Sequence, residues 1–390
     1  WSSPVNIADG SAPIGDPNFG DNYVRKIIAD EANNNVVIIY ETSSFLGAKL
    51  SVAFVDGNSG EIQSVSSWCS DCSFPQYEAH AMGDNELIVT FRKSGSLASG
   101  VYAQVFALNG QMMESDEGLV ISDEANDQRN SDIAYNSVYD EYLVCWDDSR
   151  DISSAGWACG DSSAGANYSS EAECIADCGG LDCQEVLVAD SDLICSTLNY
   201  EEDELTVSDA IPIASIPVTS QEDATVFAAA SGTYMIAWKD MRNAANIDQS
   251  LNLSFEWDAY YQELTPQGIV YEDGGIALST EPFQQVNFKF SALSEEDNLY
   301  VVVWEDDRST GKALLTNIYG QLISPSADSC MVMDPNDDGG IDVLDVVLMV
   351  NIVLGNTTPT DLESCASDVN GDGATDILDI VAIVNYILNA

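Results

Sequence analysis

Basic residues are what this sequence has least of. Its 390 residues hold 12 Lys and Arg against 65 Asp and Glu, a formal charge of −53. Nucleic acids and anionic membrane surfaces are bound through basic patches that neutralise phosphate, so neither partner class fits. Histidine is reduced to His80. A serine triad needs an imidazole base, and His80 lies two residues from Glu78 with no nucleophile motif such as GxSxG nearby. Phosphate-cradling glycine loops are missing as well. No apolar run approaches the roughly 20 residues of a membrane-crossing helix. The acidic excess suits calcium-rich or saline surroundings, where counter-ions screen the chain's self-repulsion.

Cysteine is plentiful by contrast. Ten cysteines in a chain that begins at Trp1 without Met predict a secreted, extracellular or cell-surface protein whose signal peptide has been removed. The one CxxC pair is Cys69 and Cys72, and a zinc site would want a second pair at fixed spacing, so disulfides are expected. Cys145, Cys159, Cys174, Cys178, Cys183 and Cys195 crowd one region, and their connectivity stays open. Cys330 and Cys365 are expected to bond, because each lies three or four residues before one copy of a repeated acidic loop.

That loop is written twice, 34 residues apart, as DPNDDGGIDVLD from Asp334 and DVNGDGATDILD from Asp368. Side-chain oxygens fall at positions 1, 3, 5, 9 and 12: Asp334, Asn336, Asp338, Asp342 and Asp345, then Asp368, Asn370, Asp372, Asp376 and Asp379. Position 6 is glycine in both, and position 7 (Gly340, Ala374) offers its carbonyl. This is the ligand schedule of an EF-hand-type loop, which takes a hard cation with six to eight oxygens. Two calcium ions are expected, offsetting four of the eleven acids between Cys330 and Ala390, where no Lys or Arg occurs.

Two features depart from an EF-hand: Asp stands at position 12, and no obvious helix enters either loop. A loop followed by a helix, doubled, closely resembles the dockerin domain over about 326–390. The resemblance implies calcium at the residues just named and a cohesin-like protein partner. It places recognition near positions 10 and 11, here Val343, Leu344, Ile377 and Leu378, apolar where many dockerins carry Ser or Thr. The following stretches, Val346–Leu354 and Ile380–Leu388, are apolar all round except for Asn351 and Asn385. So small a module has little core of its own. Its helices either pack on each other and the rest of the chain or leave an apolar face for a partner.

Residues 1–325 carry a weaker repeat. YLVCWDDSR (Tyr142–Arg150), YMIAWKDMR (Tyr234–Arg242) and YVVVWEDDR (Tyr300–Arg308) align, with degenerate copies at Val36–Ser44 and Leu87–Gly95. A second strand with Tyr-x-Gln follows at Tyr102, Tyr260 and Tyr319. Short strands with turn signals at this period indicate a propeller. Strand ends at Tyr40, Phe91, Trp146, Trp238 and Trp304 predict five blades, and the 92-residue third interval predicts an insertion at about 152–190. The N-terminal Pro4–Gly10 resembles Leu119–Ala125, so both termini are expected to complete one blade, leaving no free sheet edge. The fold expected is mainly β, a five-bladed β-propeller (1–325) followed by a small α-helical dockerin-like domain (326–390).

The strand ends resemble repeats of secreted bacterial propellers. Their Trp is expected to pack between blades, with Asp147, Asp240 or Asp306 pairing Arg150, Arg242 or Arg308 across a hairpin. A catalytic site used once would not be stamped onto every blade. The leading expectation is therefore an interaction or assembly protein whose tail docks onto a cohesin-like domain or another copy, extending to a filament. The alternative is a polysaccharide-degrading enzyme of glycoside-hydrolase type, or a glycan-binding adhesin, with the carboxylates at the propeller axis. No residue is singled out as catalytic.

Overall fold

The computed structural model describes residues 21–30, 33–44, 47–69, 75–94, 99–123, 126–150, 152–159, 168–178, 183–201, 204–217, 219–243, 257–266, 268–271, 274–294, 298–308, 316–325, 333–336, 341, 343–359, 361–369 and 374–389. These residues are mainly β, with helices concentrated in the C-terminal module. The expected completion of a blade by Pro4–Gly10 and the bond between Cys330 and Cys365 lie outside them, as does Cys72, although Cys69 is disulfide-bonded.

Among the described residues, five antiparallel sheets of three or more strands follow one another in chain order, with a sixth, two-stranded one set into the third. The first pairs β1 (Asp21–Asp30), β2 (Asn35–Ser44), β3 (Gly47–Asp56) and β4 (Ile62–Trp68) as a meander. The second does the same with β5 (Pro75–Met82), β6 (Glu86–Ser94), β7 (Ser99–Ala107) and β8 (Leu119–Ser122). In the third, β9 (Gln128–Asn136) and β10 (Glu141–Asp148) are separated from the rest by a ribbon of β11 (Ile152–Cys159) and β12 (Cys183–Ala189) carrying α1 (Glu171–Asp177). The sheet resumes with β13 (Asp192–Glu201), against which β14 (Glu204–Val207) and β15 (Ile211–Ala214) pair.

The fourth sheet holds β16 (Gln221–Ala228), β17 (Tyr234–Asp240), β18 (Asp258–Thr265), β19 (Gly268–Ile269) and β20 (Ile276–Ser279). The fifth, among the described residues, has β21 (Gln285–Ser294), β22 (Leu299–Asp306) and β23 (Asn317–Ile323). The ribbon is the insertion read from the long third interval. Disulfides Cys159–Cys178 and Cys174–Cys183 pin α1 to it, and Cys145–Cys195 bonds two residues that face each other on β10 and β13. Sulfurs of Cys159, Cys174 and Cys178 cluster closely enough to hold a metal, but each is oxidised, so none is a thiolate ligand.

Apolar seams lie between neighbouring sheets. Trp68 packs between the first and second, Trp146 between the second and third, Trp238 between the third and fourth, and Trp304 between the fourth and fifth. The repeat tyrosines stitch the same seams at the other end of the strand. Tyr142 Oη donates to Glu86 Oε1 at 2.5 Å and Tyr234 Oη to the Glu141 carbonyl at 3.2 Å, while Tyr300 Oη accepts from Ala230 N at 2.8 Å. Each repeat thus reaches back to the sheet before it, which is why the nine-residue pattern recurs.

The Asp–Arg pairing differs from expectation. The pattern is Trp-x-Asp-x-Arg, so the first copy uses Asp148 and not Asp147. The pairing is local, two residues along the chain, and does not cross a hairpin. Trp146, Trp238 and Trp304 each donate Nε1 to Asp148, Asp240 and Asp306 at 3.0 Å, and Arg150, Arg242 and Arg308 close on the same carboxylates. Arg242 and Arg308 then stack on Tyr260 and Tyr319, 3.9 and 4.3 Å from the ring centroids, as Lys93 does on Tyr102 at 3.7 Å. The Tyr-x-Gln strand therefore supplies a cation–π platform. Its glutamine fastens the next turn: Gln262 holds both the N–H and the carbonyl of Tyr271.

Candidate functional site

The C-terminal module is built on α2 (Val343–Val353), α3 (Asp361–Ser367) and α4 (Ile377–Asn389). The two apolar helices begin three residues earlier than the apolar runs, so loop positions 10 and 11 form their first turns. Sequence reading missed α3, which leads directly into the second loop at Asp368. Its residues, DLESCAS, show no apolar stripe, so periodicity gave no signal. Met349, Ile380 and Ile383 form the core between α2 and α4, flanked by Met333, Ile341, Val346 and Val369. Met333 N donates to the Ala366 carbonyl at 2.9 Å, tying the approach to the first loop to the approach to the second.

Of the predicted ligands, Asp334, Asn336, Asp345, Asp368, Ala374, Asp376 and Asp379 are described, while Asp338, Gly340, Asp342, Asn370 and Asp372 lie outside the described residues. Asp334 is 2% exposed, and Asp345 and Asp379 are fully buried. The Asp379 carboxylate accepts the Asp376 N–H at 2.8 Å, and Asp376 accepts the Leu378 N–H at 2.7 Å, so the second loop folds its position-9 and position-12 carboxylates onto the start of α4. Burying carboxylates is expensive unless a cation compensates. This module has no Lys or Arg between Cys330 and Ala390 to do so. An all-oxygen donor set around buried aspartates suits Ca²⁺, and the residues present fit that ion.

Beside these buried acids the helix starts are bare. Val343 and Leu344 are 63% and 57% exposed, and Ile377 and Leu378 are 61% and 60%. Val347, Leu354 and Val381 extend the two exposed faces. The helices therefore bury one seam against each other and leave the other side to solvent.

A second site lies where the first strands of the sheets converge. Opposite each motif tryptophan, the partner strand bulges, setting two residues against one: Asn130 and Ser131, Asp223 and Ala224, Asn287 and Phe288. The leading residue of each pair has positive φ (54°, 55° and 60°), a conformation that Asn and Asp tolerate best. The recurrent Gln-x-Asn/Asp at Gln128, Gln221 and Gln285 was the sequence signal for these bulges, and it went unread. Together with Tyr77, Glu78, Arg92, Asp132, Lys289 and Glu305 they line a cavity of 820 Å³.

Carboxylates at this cavity knit the sheets together. Glu78 accepts the Asn130 and Ser131 N–H groups, both at 3.0 Å, and the Ser131 hydroxyl at 2.6 Å. Asp132 accepts the Val226 N–H at 3.0 Å, and Asp147 accepts the Asp223 N–H at 2.9 Å. Burial pushes the carboxyls of Glu78, Asp132 and Asp147 upward, and for Asp147 the charges of Asp223 and Glu222 push the same way. His80 is bonded through Nδ1 to Tyr77 Oη at 2.9 Å. Burial and the charge of Lys26 lower it to about 4, so it is neutral at physiological pH. Burial raises Tyr77 to about 12. These are roles in packing.

With that geometry in hand, the comparisons with known proteins fall into two parts. Residues 332–388 match the dockerin type I domain family. The C-terminal module thus matches the dockerin type I domain, a class that binds calcium and docks onto cohesin domains. Comparison with curated proteins returns no match. Solved structures similar to the chain include a protein of unknown function from Dyadobacter fermentans, 10% identical over 79% of this chain and 80% of that one with a TM-score of 0.43. An ulvan lyase of polysaccharide lyase family PL25 is 12% identical over 72% of this chain and 65% of that one, TM-score 0.38. An endo-arabinase from Bacteroides thetaiotaomicron is 9% identical over 82% and 98%, TM-score 0.36. No helix among the described residues is long and apolar enough to cross a membrane.

Proposed function

We propose that this chain is a secreted assembly protein: a rigid five-bladed propeller, residues 1–325, attached to an extracellular partner by the dockerin domain at 326–390. Two calcium ions occupy the loops at Asp334–Asp345 and Asp368–Asp379. The partner is a cohesin-like domain or a second copy of the chain. The observation that carries this reading is the duplicated exposed pair, Val343–Leu344 and Ile377–Leu378, each set directly against a buried position-12 aspartate. Metal binding and folding are coupled in so small a module, so calcium presents both pairs at once. Sedimentation of the full chain in millimolar calcium, with and without a cohesin domain and with EDTA, tests it. A chain that remains monomeric in calcium and ignores cohesin defeats the reading.

Closure of the propeller by both termini belongs to the same proposal. In the second, third and fourth sheets the outer strand pairs with its neighbour in one register: Val101 with Ser122, Leu193 with Ala214, and Ala259 with Ser279. The equivalent position on β23 is Ile318, which is 70% exposed. Val5-Asn6-Ile7-Ala8 has the apolar-x-apolar-small pattern of LVIS, IPIA and IALS, and Ala8 matches the residue that pairs there.

A second reading, that the propeller binds or cleaves a glycan, is supported by the 820 Å³ cavity at the convergence of the strands. Of its carboxylates, Glu78 and Asp132 are engaged with backbone N–H groups and Asp223 with Lys239, so binding is favoured over hydrolysis. Screening of polysaccharides for turnover tests the enzymatic form.

A further inference from the structure

Cations are scarce in this chain, so where they stand unmatched is informative. Seven described Lys and Arg side chains lie within 4.0 Å of a carboxylate. Among the described residues, the four outside that set are Lys26, Lys49, Arg92 and Lys289. Three of the four gather at the cavity. Arg92 and Lys289 line it, and Lys26 acts electrostatically on Asp132 in its wall and on His80 behind it. Among the described residues none of the three forms an ion pair, although 65 acids are available to 12 bases.

The charges lining the cavity are not equally available. Glu78 and Asp132 are committed to the N–H groups of neighbouring strands and Asp223 is paired with Lys239 at 2.5 Å, which leaves Glu305 as the one lining carboxylate without such a bond among the described residues. Arg92 gives one nitrogen to Gln76, while its Nε is buried and meets no acceptor among the described residues. A buried guanidinium donor without an acceptor costs free energy that an anionic ligand would recover. The uncommitted charges are thus Arg92 and Lys289 against Glu305, net cationic although the chain as a whole is strongly anionic.

Its volume exceeds what an inorganic anion fills, and its walls set the hydrogen-bonding Asn287 beside apolar surface from Tyr77 and Ile318. That combination matches the hydroxyl edges and C–H faces of a sugar ring. We propose that the cavity binds an acidic saccharide, its carboxylate or sulfate group held by Arg92 and Lys289. This rests on the glycan-binding reading above and narrows it to one charge class; the docking role of the tail is independent of it.

Calorimetry on the full chain in millimolar calcium tests it with three probes: an oligogalacturonate, a sulfated galactan oligosaccharide and a neutral galactan oligosaccharide. The expected result is binding of one or both acidic probes and not the neutral one, with the carboxylate and sulfate arms showing which group is read. Lys289→Met and Arg92→Lys should each weaken acidic binding about tenfold or more, the loss expected for one charge-assisted hydrogen bond. Lys49→Met, an exposed lysine outside the cavity, should leave it unchanged. Circular dichroism confirms that each variant is folded. Equal binding of neutral and acidic probes, or acidic binding insensitive to both cavity variants, overturns the acidic assignment and leaves glycan binding standing. Failure of all three probes overturns both.

Discussion

Trp238 and Asp240 form the same 3.0 Å bond, indole N–H to carboxylate, that Trp146 makes with Asp148 and Trp304 with Asp306. The carboxylate is fully buried and also takes the Arg242 N–H groups. Replacing Asp240 by Ala strands a buried indole donor and an arginine that stacks on Tyr260. The expected destabilisation is about 3 kcal/mol or more, from an unpaired buried donor plus a broken buried ion pair. A urea midpoint unchanged in Asp240→Ala would contradict this account of the repeat.

The pH response of two buried carboxylates should run in opposite directions. Burial pushes Asp148 up, but its bonds from Arg150 and Trp146 outweigh that and hold it low. Its stabilisation is present above the unfolded aspartate value of about 3.9 and is lost as pH falls through the lower folded value. Asp147 is raised by burial and by Asp223 and Glu222, so it costs stability as pH climbs from the unfolded value through the raised folded one. Asp147→Asn should therefore flatten the decline of stability that begins as pH rises past the unfolded aspartate value, measured as urea midpoints from there upward.

Cys145 and Cys195 face each other across β10 and β13, and the sequence between them spans 50 positions including the ribbon. In the loop-entropy model such a bond constrains the unfolded chain by about 4 kcal/mol. The double substitution to Ala should lower stability by roughly 2–5 kcal/mol. At the equivalent pair in the fourth sheet, Ala237 and Tyr261, no bond exists, so the strands can pair without one. Non-reducing peptide maps should also return Cys159–Cys178 and Cys174–Cys183.

Removing a position-12 ligand should remove one ion and leave the other. Asp345→Ala and Asp379→Ala are each expected to reduce calcium from two ions per chain to one, by elemental analysis after dialysis. Full retention of two ions in either variant would refute the ligand assignment.

Closure by both termini predicts a specific cross-link. Ala8→Cys combined with Ile318→Cys should form a disulfide under mild oxidation, within one chain. A dimer linked by that bond would mean that the strand is exchanged between copies, and no bond in either form would refute the register.

Much of this was legible because it is written in short-range pattern. The calcium loops, the apolar helices, the five aromatic strand ends and the insertion all appear as spacing along the chain, since each depends on local backbone geometry repeated. The Asp–Arg pairing was misassigned in its first copy because Trp146-Asp147-Asp148 offers two carboxylates. Side chains alternate faces along β10, so Asp148 meets Trp146 while Asp147 turns to Asn130 and Asp223, the register that Trp-x-Asp-x-Arg shows in the other two copies. The helix α3 was unreadable because seven mixed residues carry no periodicity.

By itself, then, the sequence determined composition, the mainly β character of the N-terminal part, the spacing of its aromatic repeat and the dockerin-like pattern of the tail, all functions of residue type and interval. Tertiary structure decided which cysteines bond among six, which carboxylates are committed to neighbouring strands, and which cations line the cavity without an ion pair among the described residues. Those outcomes depend on groups far apart in the chain being brought within hydrogen-bonding distance. Intervals along a sequence do not encode such distances; the packing of one sheet on the next does.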